Sequence, residues 1–186
     1  MKKVFLVLAA VCSLYLVSWH QGAADDPVAA AAVSDTINWS PEYKLTWQDF
    51  QGPIDRSSKG VAATHSGLIS SASLSPDNTV TITVRSVFLR SSSWVKPEGR
   101  TADILRHEQG HFDITEIYAR RANAAFRKHT FTRKNFNKDI SRIFNTYVEE
   151  SNRLQQQYDL ETNHSINEAR QKEWNEKIAQ WLRETE

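Results

Sequence analysis

Thr79-Val80-Thr81-Ile82-Thr83-Val84-Arg85-Ser86-Val87-Phe88-Leu89 alternates apolar and polar residues along its length. Val80, Ile82 and Val84 fall on one side, continued by Val87 or Phe88, while the threonines and Arg85 fall on the other. Successive strand side chains point to opposite faces, so this period of two predicts a half-buried β-strand. Gly60 to Leu74 (GVAATHSGLISSASL), just upstream, is small and β-tolerant. Ser75-Pro76-Asp77-Asn78 between the two carries turn chemistry, so together they predict an antiparallel hairpin. Further upstream, Leu45-Thr46-Trp47 reads as a short strand that Gly52-Pro53 terminates.

Downstream, Ser91 to Gly99 (SSSWVKPEG) reads as a loop, and then the pattern changes. From Thr101 onward glycine occurs only at Gly110 and proline not at all. With long apolar spacing, that absence predicts helix to the end. The helices are expected over Thr101 to Lys128, Lys134 to Gln157 and Ile166 to Arg183. In the third, Trp174, Ile178 and Leu182 share a stripe, and Ser165 with Glu168 forms a capping-box signature at its start. The fold class is therefore α+β, with N-terminal antiparallel strands followed by three helices and no internal repeat.

The chain has 186 residues, 40% hydrophobic and 24% charged, which is ordinary globular composition. Its formal net charge of +1 offers no excess of cations to neutralise phosphates, so nucleic acid is not an expected partner. Residues 1 to 24 read as a signal peptide. Lys2 and Lys3 precede an apolar run from Val4 to Val17, shorter than the about 20 residues that span a bilayer. Gly22, Ala23 and Ala24 place cleavage after Ala24; the alternative is an uncleaved signal anchor. Cys12 follows Val11, which is not the small residue that a lipoprotein site wants, and it leaves with the signal. The mature chain would then hold no thiol and be secreted or periplasmic, without stable membrane insertion. Residues 25 to 37 (DDPVAAAAVSDTI) read as a flexible leader, and 38 to 186 as one domain.

The chemistry is concentrated in Leu105-Arg106-His107-Glu108-Gln109-Gly110-His111-Phe112-Asp113. His107 and His111, four apart on a helix, share a face one turn apart, so two ring nitrogens can converge on one ion. Glu108, at the edge of that face, can reach a metal-bound water as its base. The bland alternative is a pair of solvent-facing histidines on an amphipathic helix. Gly110 costs about 1 kcal/mol against alanine inside a helix, which suggests that another element approaches the backbone closely there. A third ligand is needed. Ile114 and Ile117 stand where one large zincin class places glycine and histidine, which excludes that class. Glu116, Glu149, Glu150, Asp159 and His164 remain as candidates. Glu149 and Glu150 sit where a glutamate-ligand zincin would supply its third ligand, although a solvated face is the plainer reading. His164 precedes a helix start, which would hold its backbone rigid.

Three stretches resemble a bacterial family regarded as secreted zinc-dependent proteases and otherwise catalogued only as a domain of unknown function. They are Leu45-Thr46-Trp47-Gln48-Asp49-Phe50-Gln51-Gly52, the His107 stretch quoted above, and Tyr158-Asp159-Leu160-Glu161-Thr162-Asn163-His164, followed by Gln171 and Trp174-Asn175. Together they bracket roughly Asn38 to Lys177. The resemblance implies a zincin-like active-site helix, Zn²⁺ as cofactor, and His164 as third ligand beside His107 and His111. Asp159 is the runner-up, or the partner that holds a histidine N–H. Ser165 stands where the family pattern has glycine.

The expected function is a secreted zinc-dependent hydrolase, a peptidase taking protein or peptide substrates, with Glu108 as catalytic base. Tyr158 and His65 are candidates to stabilise an oxyanion, with His65 reading first as a hairpin surface residue. Two other functions fit the same residues. One is a non-catalytic, zinc-stabilised cell-envelope binding module, in which Asp159 joins the histidines as fourth ligand. The other is a hydrolase of cell-wall amide bonds. Trp39 and Trp47 are expected in the core, and Trp94 in core or cleft.

Overall fold

The computed structural model describes residues 34–74, 80–132 and 134–185. The signal segment, the leader up to residue 33 and the Ser75–Asn78 turn lie outside the described residues. The strands are β1 (Thr36–Asn38), β2 (Ala62–Ala63), β3 (Ser66–Leu74), β4 (Val80–Leu89) and β5 (Trp94–Val95). The helices are α1 (Ala102–Lys128), α2 (Phe136–Thr162) and α3 (Glu168–Glu184). The architecture is α+β, with antiparallel strands first and three helices after. Among the described residues no helix is long and apolar enough to cross a membrane.

β4 is the centre of a three-stranded antiparallel sheet in the order β1-β4-β3. Its pairing with β3 runs from Ser66 opposite Phe88 to Leu74 opposite Val80, as the hairpin reading requires. β1 pairs only with Val87 to Leu89. It begins at Thr36, two residues inside the segment read as a leader. β2 and β5 form a separate two-stranded sheet, so the stretch from Ser91 to Gly99 is more ordered than a plain loop.

The inward side of β4 runs through Ile82, Val84, Ser86 and Phe88, and α1 lies across it. α1 is buried on several sides because three separate clusters use it. Phe112 packs with Leu45, Phe50, Phe88 and Val95. Ala119, Ala122 and Phe126 meet Val84 and Ile143. Ile114, Ile117 and Tyr118 meet Tyr158 of α2 and Trp174 and Ile178 of α3. Ala119 and Ala122 let α1 lie close to Val84, with Phe112 and Phe126 packing on either side of them, while Ile114, Ile117 and Tyr118 face α2 and α3. Thr101 caps its start, its side chain accepting from Ile104 N at 3.3 Å.

Past Asn38 the edge of β4 has no partner strand among the described residues. Asn123 of α1 fills the gap. Its Oδ1 accepts from Val84 N at 2.8 Å and its Nδ2 donates to Val84 O at 2.7 Å. One side-chain amide thus replaces one residue of missing strand and satisfies both backbone groups of a buried position.

The sequence around Trp47 does not form a strand. Trp47–Asp49 is a 3₁₀ turn, because the Asp49 carboxylate accepts from Thr46 N at 2.8 Å and folds the chain back on itself. Asp49 is buried and also accepts from the Tyr43 hydroxyl and pairs with Arg90 at 3.0 Å. Trp39 and Trp47 pack against the Phe112 cluster as expected, and Trp94 is buried. α3 starts two residues later than expected, and its cap is Asn167, whose side chain accepts from Arg170 N at 3.2 Å. Ser165 does not cap it, because it lies in a left-handed turn with φ 73°.

Replacing Asn123 by leucine leaves the Val84 N–H and C=O buried without partners. Denaturant unfolding is expected to show a loss of about 2–4 kcal/mol. A change under 0.5 kcal/mol would remove Asn123 as the device that closes this edge.

Candidate metal centre

His107, Glu108 and His111 lie on α1 where its buried side turns away from the sheet toward α2 and α3. The spacing has the effect its helical geometry demands. The two Nε2 atoms are 3.2 Å apart, and the rings meet edge to face. Asp159 of α2 completes the group: its Oδ1 is 3.1 Å from His107 Nε2 and 3.0 Å from His111 Nε2. His107, His111 and Asp159 together form a group that could hold a metal ion.

The tautomers follow from the neighbours. The Tyr158 hydroxyl donates to the His107 backbone carbonyl at 3.2 Å, and a carbonyl can only accept. The hydroxyl oxygen therefore accepts from Gln171 Nε2 at 2.6 Å. That fixes the amide, whose Oε1 faces His107 Nδ1 at 2.9 Å. Gln155 repeats the device on the second histidine. Its Nε2 donates to the His111 carbonyl at 2.9 Å, and its Oε1 faces His111 Nδ1 at 2.5 Å. Each Nδ1 thus carries the hydrogen, and a neutral ring presents its Nε2 lone pair inward. Two lone pairs and a carboxylate oxygen then converge with no donor among them. Only a cation, or protons taken up in its place, relieves that arrangement.

Protons do so in the absence of an ion. Burial disfavours a charged His111 imidazole, but the Asp159 carboxylate beside it, with Glu108 and Gln155, outweighs burial and carries its pKa from 6.5 to about 9. Burial likewise opposes an ionised Asp159. The charge of His111 and hydrogen bonds from His107, His111 and His164 overcome it and hold the carboxyl far below the usual carboxylate range.

Glu108 is buried at 4% exposure, and its Oε2 has no hydrogen-bond partner among the described residues. A buried carboxylate oxygen left unpaired is costly and calls for a ligand or a water. Gly110 has the purpose that close approach suggested. A Cβ there would stand 2.4 Å from the Tyr158 hydroxyl and 2.8 Å from the ring carbon that bears it. The phenol lies over the His107 ring, centroids 4.6 Å apart and nearly parallel. Glycine is what allows α2 to bring that ring against the α1 backbone.

His164 stands at the rim, with its side chain 68% exposed. Its Nδ1 is 3.2 Å from the same Asp159 Oδ1, and its ring centroid is 6.5 Å from that of His107. α2 ends beneath it in three consecutive positive-φ residues, Asn163 (48°), His164 (52°) and Ser165 (73°). Left-handed backbone is strained for residues other than glycine, and here it turns His164 back toward Asp159. The other acidic candidates stay away. Glu149 is exposed beside Arg153, Glu150 lines a groove farther along α2, and Glu116 binds Ser86 and Arg120. Tyr158 is not free to stabilise an oxyanion, because its hydroxyl is committed to the α1 backbone and Gln171. His65 is half-buried rather than an exposed hairpin residue, and it follows Thr64, whose hydroxyl donates to Glu108 O at 3.3 Å.

Neither Gln155 nor Gln171 has a role assigned by the sequence pattern alone. The signal for Gln155 is its place four residues before Asp159, which puts both on one face of α2. Gln171, on α3, carries no comparable spacing signal.

Residues 71–165 match the model of a family described as bacterial protein of unknown function, DUF922. The match covers about half of the chain, which therefore belongs to that family. No curated protein and no solved structure matches. The matched span ends at Ser165 and so contains all of His107, Glu108, His111, Asp159 and His164.

Gly110→Ala should force the phenol off the helix, lowering both stability and divalent-metal affinity. Gln155→Leu, which removes only the Nδ1 acceptor and its anchor, should weaken metal binding by about 10–100-fold in a competitive chelator titration. Unchanged affinity in both would separate the network from the metal group. In metal-free protein the raised His111 pKa has a second consequence. Its contribution is complete below pH 6.5 and disappears as pH rises through about 9. Thermal scans with chelator should show stability falling across that window, by on the order of 3 kcal/mol in total. Flat stability from pH 6 to 10 would contradict the coupling to Asp159.

Proposed function

We propose that this chain is a zinc-dependent hydrolase of peptide bonds, with His107, His111 and Asp159 as metal ligands and Glu108 as the base. One observation carries this reading: three lone-pair atoms converge without a donor, next to a buried carboxylate oxygen without a partner. The spacing fits the ion. A tetrahedral centre with ligands at about 2.0–2.1 Å has edges of about 3.3 Å, against the observed 3.0 to 3.2 Å. Imidazole and carboxylate donors without thiolate suit zinc at a catalytic site. Three protein ligands on one tetrahedral face leave the fourth position open.

When bound, the ion would polarise the scissile carbonyl and acidify a water. The residues do the rest. Gln155 and Gln171 fix the tautomer of the imidazoles and aim them, so with an ion bound the charge of the ligand set comes from Asp159 alone. Glu108 Oε2 takes the proton of the attacking water and hands it to the leaving amine. Burial lowers the pKa of His65, against the raising effect of the nearby Glu108 charge. It is therefore neutral at physiological pH and can offer an N–H to a developing oxyanion. The N-terminal segment would export the enzyme to the periplasm or beyond.

Asp159 is preferred over His164 as third ligand because its oxygen lies within 3.1 Å of both Nε2 atoms, whereas His164 is exposed and reaches only Asp159. The same short approach of His164 to Asp159 supports a second reading, a closed four-ligand site in a non-catalytic binding module. Zinc content of purified protein separates the two. Asp159→Asn should lose most of the metal and His164→Ala should keep it; equal loss in both would favour the closed site. Glu108→Gln should retain one zinc and lose about 10²–10⁴-fold in turnover, assayed on a protein mixture and on purified cell wall. Full activity in that variant would overturn the assignment of the base.

A further inference from the structure

The charge of this chain is strongly uneven. Residues 120–142 hold eight lysines and arginines against one acid, Asp139, a net of +7 in a chain whose total is +1. Everything else therefore carries −6. This segment comprises the end of α1, the connection to α2 and the first turns of α2. It lies at the opposite end of the helix pair from the metal group, since Lys128 is about 25 Å along α1 from His111 at 1.5 Å per residue.

Two adjoining cavities open between α1 and α2 there. One, of about 350 Å³, is lined by Lys128, His129, Arg142, Ile143, Thr146 and Tyr147. The other, of about 440 Å³, is lined by Arg121, Lys128, Tyr147 and Glu150 among others. Lys128 and Tyr147 belong to both. Asp139 bridges two residues that line the first: it accepts from His129 Nε2 at 3.0 Å and pairs with Arg142 at 3.4 Å. It thereby holds both groups at the cavity wall. Among the described residues Lys128 and Arg121 make no ion pair. Arg121 instead lies over the rings of Tyr118 and Trp181, at 4.9 and 5.6 Å. Glu150 is the acid at the lining of the second.

We propose that this elbow is a binding site for a phosphate group, with Lys128 at its centre and Arg142 and Arg121 on either side. Lys128 shared between two adjoining hollows, with Arg142 in one and Arg121 in the other, suits an anion of multiple charge better than a single carboxylate. The net positive charge of the segment would gather such anions from solution. The cavities have room for a phosphate ester as well as for free phosphate. The proposal is independent of the metal reading, because no residue is shared.

The test uses the full chain. Inorganic phosphate is titrated at about 0.1 M salt, where exposed charges are largely screened beyond about 10 Å, and backbone amide NMR shifts are followed. The same protein is sedimented with vesicles of phosphatidylcholine, alone and mixed with phosphatidylglycerol. Saturable shifts confined to the elbow are expected, weakened at least about tenfold in Lys128→Glu/Arg142→Gln. Lys172→Glu, the same charge reversal as at Lys128 but on the exposed side of α3, should leave them intact. Retention by the anionic vesicles, lost in the double variant, would identify the source as a lipid headgroup; phosphate binding without retention would identify a soluble phosphate compound. Absence of saturable shifts, or equal weakening by Lys172→Glu, would overturn the proposal.

Discussion

Two imidazole lone pairs and one carboxylate oxygen face each other across about 3 Å, and the rest of the structure is arranged to hold them there. Such a group repels itself unless something positive stands between its members. The neutral rings are not free to turn away. Each histidine is held at its own carbonyl and at its own Nδ1, His111 by Gln155 and His107 by Gln171 acting through Tyr158. The constraint therefore runs through all three helices: α1 carries the rings, α2 the carboxylate and one amide, α3 the second amide.

α1 can bear this because the sheet anchors it. Phe112, one residue beyond His111, packs against Phe88 of β4, and Ser66 of β3 meets Thr115 one turn farther along. The N-terminal segment adds a clamp from another side, with Leu45 N donating to Gln109 and the Trp39 indole donating to Asp113. Gln109 and Asp113 are themselves bonded at 2.7 Å, so the residues that flank His111 fasten the helix to the N-terminal segment. Histidine positions and core-facing positions alternate within one helical turn, which leaves little freedom for the rings to drift.

Much of this was legible in the residues. The alternation of Thr79 to Leu89 and the absence of proline after Thr101 defined the hairpin and the helices, because both signals are local. The H-E-x-x-H spacing located two of the three converging atoms for the same reason. What escaped was long-range. Asp49 reads as a turn residue only once Tyr43, Thr46 and Arg90 are seen around it. The left-handed run at Asn163–Ser165 has no glycine to announce it, so Ser165 resembled a helix cap. Asp159 and His164 were both visible as candidates. Their order depended on where α2 ends, which a three-residue strain decides and no periodicity encodes.

The account is tested most directly by anomalous diffraction at the zinc edge from crystals of the full chain grown with zinc. It predicts one ion bonded to Nε2 of His107, Nε2 of His111 and a carboxylate oxygen of Asp159, at about 2.0–2.2 Å each. It also predicts a solvent molecule at the remaining position, within reach of Glu108. Ligation through Nδ1 of either ring, or the absence of an ion from this group, would contradict it.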